Sequence, residues 1–387
     1  MSWFSVKWRT LGWSTLFLAT TSCGLLGPTT VAPARRDYAE AIRLSANREL
    51  LSNIVRLRFA AMPEMLDLTQ VVTQYSVTAV GSAGATFQSG ANEFPLSLQS
   101  TLEENPTITY TPVVGEAFAM RLLAPLQPYQ IFMLNNAGWD AKLLFSTALQ
   151  GMNSLRNIAV SIGPICKPLP PNFADFAEAL QLIDELETLH ILNIVYWPLT
   201  GIKETESAKK EKGGSHAAAN NFTYSLAFLP SEDPSHQESS ARLKTLLGLA
   251  QDKNLFPILM RHDNEQPADS ELVIDVRPML ALMLHVASGI ELPDPYAQQY
   301  PNCVKGMDRC YHAQSNYHPA DILKIHVTEA PPLEAYVAIQ FQDLWFWIEL
   351  HDTNSKNSFA LIQYLTRLQQ ARGSLPNAGV LLTIPTS

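Results

Sequence analysis

The sequence predicts an α+β fold with mostly antiparallel sheets packed with helices, preceded by an N-terminal signal that is cleaved. Two observations lead to this prediction. An uncharged apolar stretch follows two basic residues at the N-terminus and ends in a cysteine. From residue 35 onward, helical and strand patterns follow one another in mixed order, without the regular βαβ alternation that builds a parallel sheet.

Residues 1–22 have the organisation of a secretory signal. The first nine residues, "MSWFSVKWR", contain Lys7 and Arg9 and no acidic residue. Residues 10–19, "TLGWSTLFLA", are uncharged and mostly apolar, as the central part of a signal peptide is. We therefore expect this segment to direct the chain across a membrane.

Cys23 is the candidate lipid-attachment site. The stretch "LATTSC" resembles the lipobox of bacterial lipoproteins, although Thr20 stands where that pattern prefers leucine. By the same resemblance, Gly24 rather than aspartate after the cysteine favours the outer membrane of a Gram-negative bacterium. We expect a lipid-anchored protein that faces the periplasm.

Two other interpretations of the N-terminus stay open. Residues 10–34 carry no charge, so the segment could be an uncleaved membrane anchor, but Gly27 and Pro28 end its apolar part near the short limit of ~20 residues for a spanning helix. Plain cleavage would instead release a soluble periplasmic protein.

The composition bears on the partners of the chain. The net charge is −9 and charged residues make up 16%, while hydrophobic residues make up 47%. An acidic chain without a basic tract is a poor nucleic-acid binder, because that affinity comes largely from neutralised phosphates. So few charges predict an uncharged surface that contacts other proteins or a membrane, although a Ser/Thr/Asn/Gln-rich surface is the simpler alternative.

Four segments are expected after the signal peptide. Residues 23–34 form a tether, and 35–200 form an α+β region. Residues 201–221 are charged, rich in Gly and Ala and almost free of large apolar groups, which is typical of a flexible loop or linker. Residues 222–387 form a second α+β region, which could belong to one domain with the first.

The elements of the first α+β region follow from apolar spacing and from turn residues. A helix begins behind a cap at Asp37 and ends before Pro63. The β-branched run after it turns at Gly81 and Gly84 into a hairpin, and "TITYT" is another strand. Residues 115–155 are helical in two or three pieces, an amphipathic helix covers 173–189, and "ILNIVYWPL" is a buried strand.

The second region is expected to be richer in strands. Predicted strands are "FTYSLAFL", "FPILM", "ELVIDV", "DILKIHV", "YVAIQF", "LWFWIEL" and "GVLLTI". Helices are predicted near 238–252, at 278–289 and at about 355–372, and a turn is predicted at Gln342 and Asp343.

The cysteines suggest one disulfide. Cys303 and Cys310 lie close together in "YPNCVKGMDRCYH" and would pair in an oxidising periplasm. Cys166 is then the odd thiol, and a pair that uses Cys166 is the main alternative. With His312 and His318 the two cysteines also supply ligand types for zinc, but a disulfide would remove the thiolates. We expect no metal.

Few residues suggest catalysis. "RHDNE" and "ELHD" place His262 beside Asp263 and His351 beside Asp352, but neighbouring side chains on a strand point to opposite faces. We therefore interpret both pairs as polar strand ends and predict no catalytic residue and no cofactor.

The most unusual strand is "LWFWIEL". Trp345, Trp347 and Glu349 share one face, and the opposite face is entirely apolar. This pattern predicts a central strand that is covered on both sides. In the functional alternative, Trp345 and Trp347 line a binding groove for a partner or a sugar.

Several segments resemble a family of uncharacterised bacterial envelope proteins, many of which have lipoprotein signals. They are "RRDYAEAI", "NRELLSNIVRLRF", "YTPVVGEAFAMRLLAPL", "VIDVRPMLALMLHVASGIELP" and "LWFWIELHDTNSKNSFALIQYLTRLQ" with "GVLLTIP". The resemblance covers most of residues 35–384 in patches and implies no activity.

These observations favour a non-enzymatic lipoprotein that serves as a structural or assembly component of a multiprotein envelope or secretion complex. Its expected partners are the membrane, through the lipid, and other envelope proteins. The alternative is a periplasmic hydrolase or ligand-binding protein, which requires a polar pocket where His262, His351 or their acidic neighbours converge.

Overall fold

The computed structural model describes most of the chain after the first 27 residues. The described ranges are 28–83, 86–88, 91–93, 96–158, 170–198, 222–261, 267–294, 296–300 and 319–373. Helices and mostly antiparallel strands alternate irregularly in these ranges, so the predicted α+β class is confirmed.

The helices vary widely in length. Their bounds are α1 Pro28–Arg58, α2 Gly115–Leu123, α3 Pro128–Asn136, α4 Ala141–Ala148, α5 Phe173–Thr188, α6 Pro234–Leu247, α7 Met279–Ala287, α8 Tyr296–Gln299, α9 Pro319–Ile322 and α10 Thr353–Gly373.

The strands form four sheets in the described ranges. Their bounds are β1 Leu66–Ala83, β2 Thr86–Gln88, β3 Ala91–Glu93, β4 Leu96–Pro112, β5 Leu149–Met152, β6 Leu155–Arg156, β7 Leu192–Pro198, β8 Phe222–Phe228, β9 Leu255–Met260, β10 Leu272–Val276, β11 His326–Thr328, β12 Val337–Phe341 and β13 Leu344–Ile348.

The largest sheet has six strands in the order β6–β5–β10–β9–β8–β7. All its neighbouring strands are antiparallel except β9 and β10. β7 and β8, which flank residues 201–221, pair directly with each other. A second sheet has the order β11–β13–β12, which confirms the prediction that "LWFWIEL" is a central strand.

The hydrophobic core joins these sheets to the helices. Fully buried side chains come from α1, α5, α7, β13 and α10, for example Leu51, Phe176, Leu282, Phe346 and Phe359. Their helical or alternating spacing in the sequence is what allows each element to present an apolar side to this core.

A long two-stranded ribbon, formed by β1 and β4, is separate from the larger sheets. Its strands pair in antiparallel register from Leu66–Pro112 to Ala83–Leu96, with one irregularity between Leu68 and Gln70. At ~3.4 Å per residue this ribbon is roughly 55–60 Å long. Among the described elements, β1 and β4 make extensive contacts only with each other.

Four elements differ from their predictions. Residues 149–155 were expected to end a helical stretch, but after Ala148 the chain forms the short strands β5 and β6. The first helix begins at Pro28 rather than behind Asp37, because proline is well suited to the first turn of a helix. Residues 28–34, which were expected to belong to the tether, are therefore helical. β1 continues through Gly81 instead of turning there. "DILKIHV" is not one strand, since Pro319 starts a short helix and only His326–Thr328 is extended.

None of the helices in the described ranges combines the length and the apolar character that crossing a lipid bilayer requires.

Candidate functional site

Three features of the described structure could contact other molecules: a groove at the base of the ribbon, the face of the three-stranded sheet that carries the tryptophans, and the ribbon itself. The groove has a volume of about 560 Å³. It lies where α1, the start of β1, α2, α7 and α10 meet, so that residues distant in the sequence line it together.

The groove is held in shape by hydrogen bonds between α1 and the segment that enters β1. Asn53 exchanges two hydrogen bonds with the backbone of Glu64: its Nδ2 donates to the carbonyl at 2.6 Å, and its Oδ1 accepts from the N–H at 2.8 Å. One turn earlier, Oε1 of Glu49 accepts from the N–H of Leu66 at 3.0 Å. These bonds fix the position at which the ribbon leaves α1.

Charged groups of opposite sign meet at this base. Arg121 donates from Nη1 and Nη2 to the two carboxylate oxygens of Asp67, both at 2.7 Å, and its side chain is 4% exposed. This two-point pairing is the strongest geometry for such an ion pair. The buried Nε of Arg121 has no hydrogen-bond partner within the described structure.

Glu49 adds a second acidic group to the groove. Burial, with a smaller contribution from the negative charge of Asp67, raises the pKa of Glu49, while the hydrogen bond from Leu66 opposes this shift. The groove therefore combines a carboxyl group with a raised pKa, a buried guanidinium and apolar side chains such as Met65 and Met283.

The tryptophan face consists of the β13 side chains that point away from the core and their cross-strand neighbours. Trp345 and Trp347 are half-buried, whereas Leu344, Phe346 and Ile348 are buried. The face of β13 that carries Leu344, Phe346 and Ile348 therefore belongs to the core, whereas the tryptophan face is only half-buried. The prediction that both faces are covered is confirmed only in part. A groove lined by Trp345 and Trp347 stays a prediction.

His326 stacks on Trp347 across β11 and β13. The ring centroids are 4.5 Å apart and the ring planes differ by 21°. Burial, and then the nearby positive charge of Lys324, lower the pKa of His326, so the neutral ring is favoured. Neither Nε1 of Trp347 nor Nε2 of His326 has a hydrogen-bond partner in the described structure, although both atoms are buried.

The second histidine–aspartate pair shows no sign of a catalytic dyad. Nε2 of His351 lies 3.8 Å from a carboxylate oxygen of Glu334, and their side chains are 79% and 72% exposed. Asp352 instead precedes α10 and accepts from the N–H and hydroxyl of Ser355 at 3.0 and 2.6 Å. Although burial raises the pKa of Asp352, these hydrogen bonds, a further one from the backbone of Asn354 and the positive charge of Lys324 together lower it.

The remaining candidate residues lie outside the described ranges. They are Cys23, Cys166, His262, Asp263, Cys303, Cys310, His312 and His318. The lipid site and the disulfide therefore stay predictions. Within the described ranges, no three His, Cys, Asp or Glu side chains are grouped so that they could hold a metal ion.

The groove was missed from the sequence because Glu49, Asp67 and Arg121 belong to three separate segments. One signal was available: Arg121 is the single basic residue of the apolar helix "GEAFAMRLL", and a buried arginine needs a partner.

Comparisons with known proteins identify no relative: no family model, no curated protein and no solved structure matches this chain. Membership of the envelope-protein family stays a prediction.

Proposed function

We propose that this chain is a membrane-anchored, periplasm-facing lipoprotein that acts as a structural or assembly component of a multiprotein envelope complex. The anchor is the lipid on Cys23, after removal of residues 1–22. The outer membrane is the expected location, because Gly24 follows the cysteine.

The ribbon is the observation that carries the assembly role. An isolated two-stranded ribbon is only marginally stable in water, and a strand at a sheet edge presents unpaired N–H and C=O groups that another strand can bind. This ribbon is long, and in the described part of the chain no third strand pairs with it. Such a feature is best explained by a partner that completes it.

Crosslinking in intact cells tests this function. We expect the detergent-extracted protein to be recovered from membranes together with specific envelope proteins, and a Cys23→Ser variant to lose both the membrane fraction and those partners. Recovery of the chain alone under several crosslinkers of different length would contradict the assembly role.

The groove favours a second candidate function, a periplasmic ligand-binding protein. Its mixture of apolar side chains with a few charged groups is typical of small-molecule sites. A thermal-shift screen of small anionic and zwitterionic metabolites tests it, with Glu49→Gln as the variant. A compound that stabilises the wild-type chain and not Glu49→Gln would support this function, and no stabilisation by any compound would reject it.

A further inference from the structure

The partner of the ribbon can be inferred from its backbone. In an antiparallel pair, opposed residues alternate between positions that bond each other and positions whose N–H and C=O groups point outward. The N–H of Val113 donates to the carbonyl of Met65 at 2.9 Å, which places Leu66 and Pro112 in an outward-pointing pair. The N–H of Leu66 accordingly donates to Glu49 rather than to β4.

The same alternation can be followed along the ribbon past the irregularity at Leu68–Gln70. Pro106 is opposite Thr73. Because proline has no N–H, it is tolerated in a strand where that group would point away from the neighbouring strand. The Thr73–Pro106 pair is therefore of the outward kind. Because the alternation has a period of two, the Val77–Leu102 pair, four positions further along the ribbon, is of the outward kind as well.

The two edges of the ribbon differ in chemistry. The outer edge of β4 lacks a donor at Pro106, and Glu103 and Glu104 precede it; proline and charged residues are two of the features that protect natural sheet edges from further pairing. β1 contains no proline and no basic residue, and its one charged residue, Asp67, is paired with Arg121 at the base. The irregularity of β1, between Leu68 and Gln70, is confined to the base of the ribbon. No strand of the described ranges covers the rest of the β1 edge, so this edge is better suited than that of β4 to pair with another strand.

We propose that two copies of this chain pair through the outer edges of their β1 strands, antiparallel about a two-fold axis, into a four-stranded sheet in the order β4–β1–β1–β4. This inference rests on the proposed function, since it names the partner of the ribbon. About a two-fold axis, the outward N–H groups of each β1 strand meet the outward C=O groups of the other β1 strand. Pairing through β4 would bring acidic residues together and would lack hydrogen bonds at the prolines.

A pair of proline variants tests this arrangement in the full chain. Val77 and Leu102 are directly opposite each other, and both have outward N–H groups by the alternation above. Val77→Pro removes a donor from the β1 edge, and Leu102→Pro is the matched control on the β4 edge. Sedimentation velocity of the detergent-solubilised protein is the measurement, and circular dichroism checks that both variants are folded.

We expect a wild-type dimer, a dimer dissociation constant at least tenfold higher for Val77→Pro, and an unchanged constant for Leu102→Pro. A wild-type chain that is monomeric at micromolar concentration, or equal effects of the two prolines, would overturn the proposal. That result would not contradict the proposed lipid anchor or the proposed envelope partners, because fractionation and crosslinking test these separately.

Hydrogen exchange of the wild-type protein gives a second test that needs no variant. The internal ladder protects alternate amides in both strands, but the dimer protects the remaining amides of β1 alone. Peptides from β1 should exchange more slowly than the peptides from β4 opposite them, and the difference should vanish on dilution below the dissociation constant. Equal exchange in both strands at high concentration would contradict β1 pairing.

Discussion

At the scale of single residues, two basic side chains, Arg277 and His285, are buried in the core, and the hydrogen-bond acceptors of Arg277 come from a distant part of the chain. Arg277 is 1% exposed and donates from Nε to the carbonyl of Leu149 at 3.2 Å and from Nη2 to that of Ile158 at 3.0 Å. His285, on α7, is fully buried. Burial, and then the positive charge of Arg277, lower the pKa of His285 well below its usual value.

His285 predicts a pH dependence of stability. Its pKa is lower in the folded chain than in the unfolded chain, so protonation favours unfolding. The contribution of neutral His285 to the stability of the fold is complete above pH 6.5, which is the ordinary pKa of histidine. It is lost as the pH falls below that value. One such group contributes a slope of at most about 1.4 kcal/mol per pH unit to the free energy of unfolding.

Urea denaturation between pH 5 and 7.5 measures this slope. His285→Gln should flatten the dependence below pH 6.5, whereas His351→Gln, at a position that is 79% exposed, should leave it unchanged. Identical slopes for wild type and His285→Gln would refute the assignment.

At the scale of elements, the β12–β13 hairpin shows how far local sequence predicts structure. The turn at Gln342 and Asp343 was predicted, and both residues have positive φ, 49° and 64°. Such two-residue turns favour Asn-Gly, since other residues are strained at positive φ. The turn position was predictable, while its strain was not visible from the sequence.

The strained turn predicts a stabilising change. Gln342→Asn combined with Asp343→Gly should raise the free energy of unfolding by about 0.5–1 kcal/mol. The midpoint of guanidinium denaturation is the measurement. Gln340→Asn, an exposed change on the neighbouring strand, should shift it far less, and a loss of stability in the double variant would contradict the account.

The ribbon was predicted less well than this hairpin. Gly81 and Gly84 suggested an early turn, but Gly81 lies within β1, opposite Leu98. Glycines mark positions where a turn is permitted, and only the long register of paired residues shows that none occurs at Gly81. "TITYT" was correctly predicted as a strand, yet it is only the end of β4.

The ion pair at the ribbon base predicts a local effect on the ribbon. Arg121→Lys removes the two-point contact with Asp67 and should cost about 1–3 kcal/mol, because lysine cannot satisfy both carboxylate oxygens in this geometry. Hydrogen exchange should be faster in peptides that cover the start of β1.

Arg242→Lys is the matched control. Arg242 also makes a two-point contact, with Glu178, at 2.6 and 2.8 Å, but both side chains are largely exposed. Exposed ion pairs contribute little to stability, because water and salt screen them, so Arg242→Lys should have a small effect. Equal effects of the two lysine substitutions would show that the Arg121–Asp67 ion pair has no special role at the base of the ribbon.

At the scale of the whole molecule, the fold class followed from the mixed order of elements, and the topology did not. The order β6–β5–β10–β9–β8–β7 brings together strands that are more than a hundred residues apart in the chain. No local periodicity encodes such pairing. The same is true of the groove at the ribbon base, where long-range contacts bring the polar residues together.

The central claim is that the chain is anchored through a lipid on Cys23 and works in an envelope assembly. The intact mass of the protein, extracted from membranes of a Gram-negative host, tests it most directly. The account predicts loss of residues 1–22 and a lipid adduct on Cys23. The adduct should persist in Cys166→Ser and be absent in Cys23→Ser. A mature chain without lipid, or one that keeps Met1, would contradict the claim.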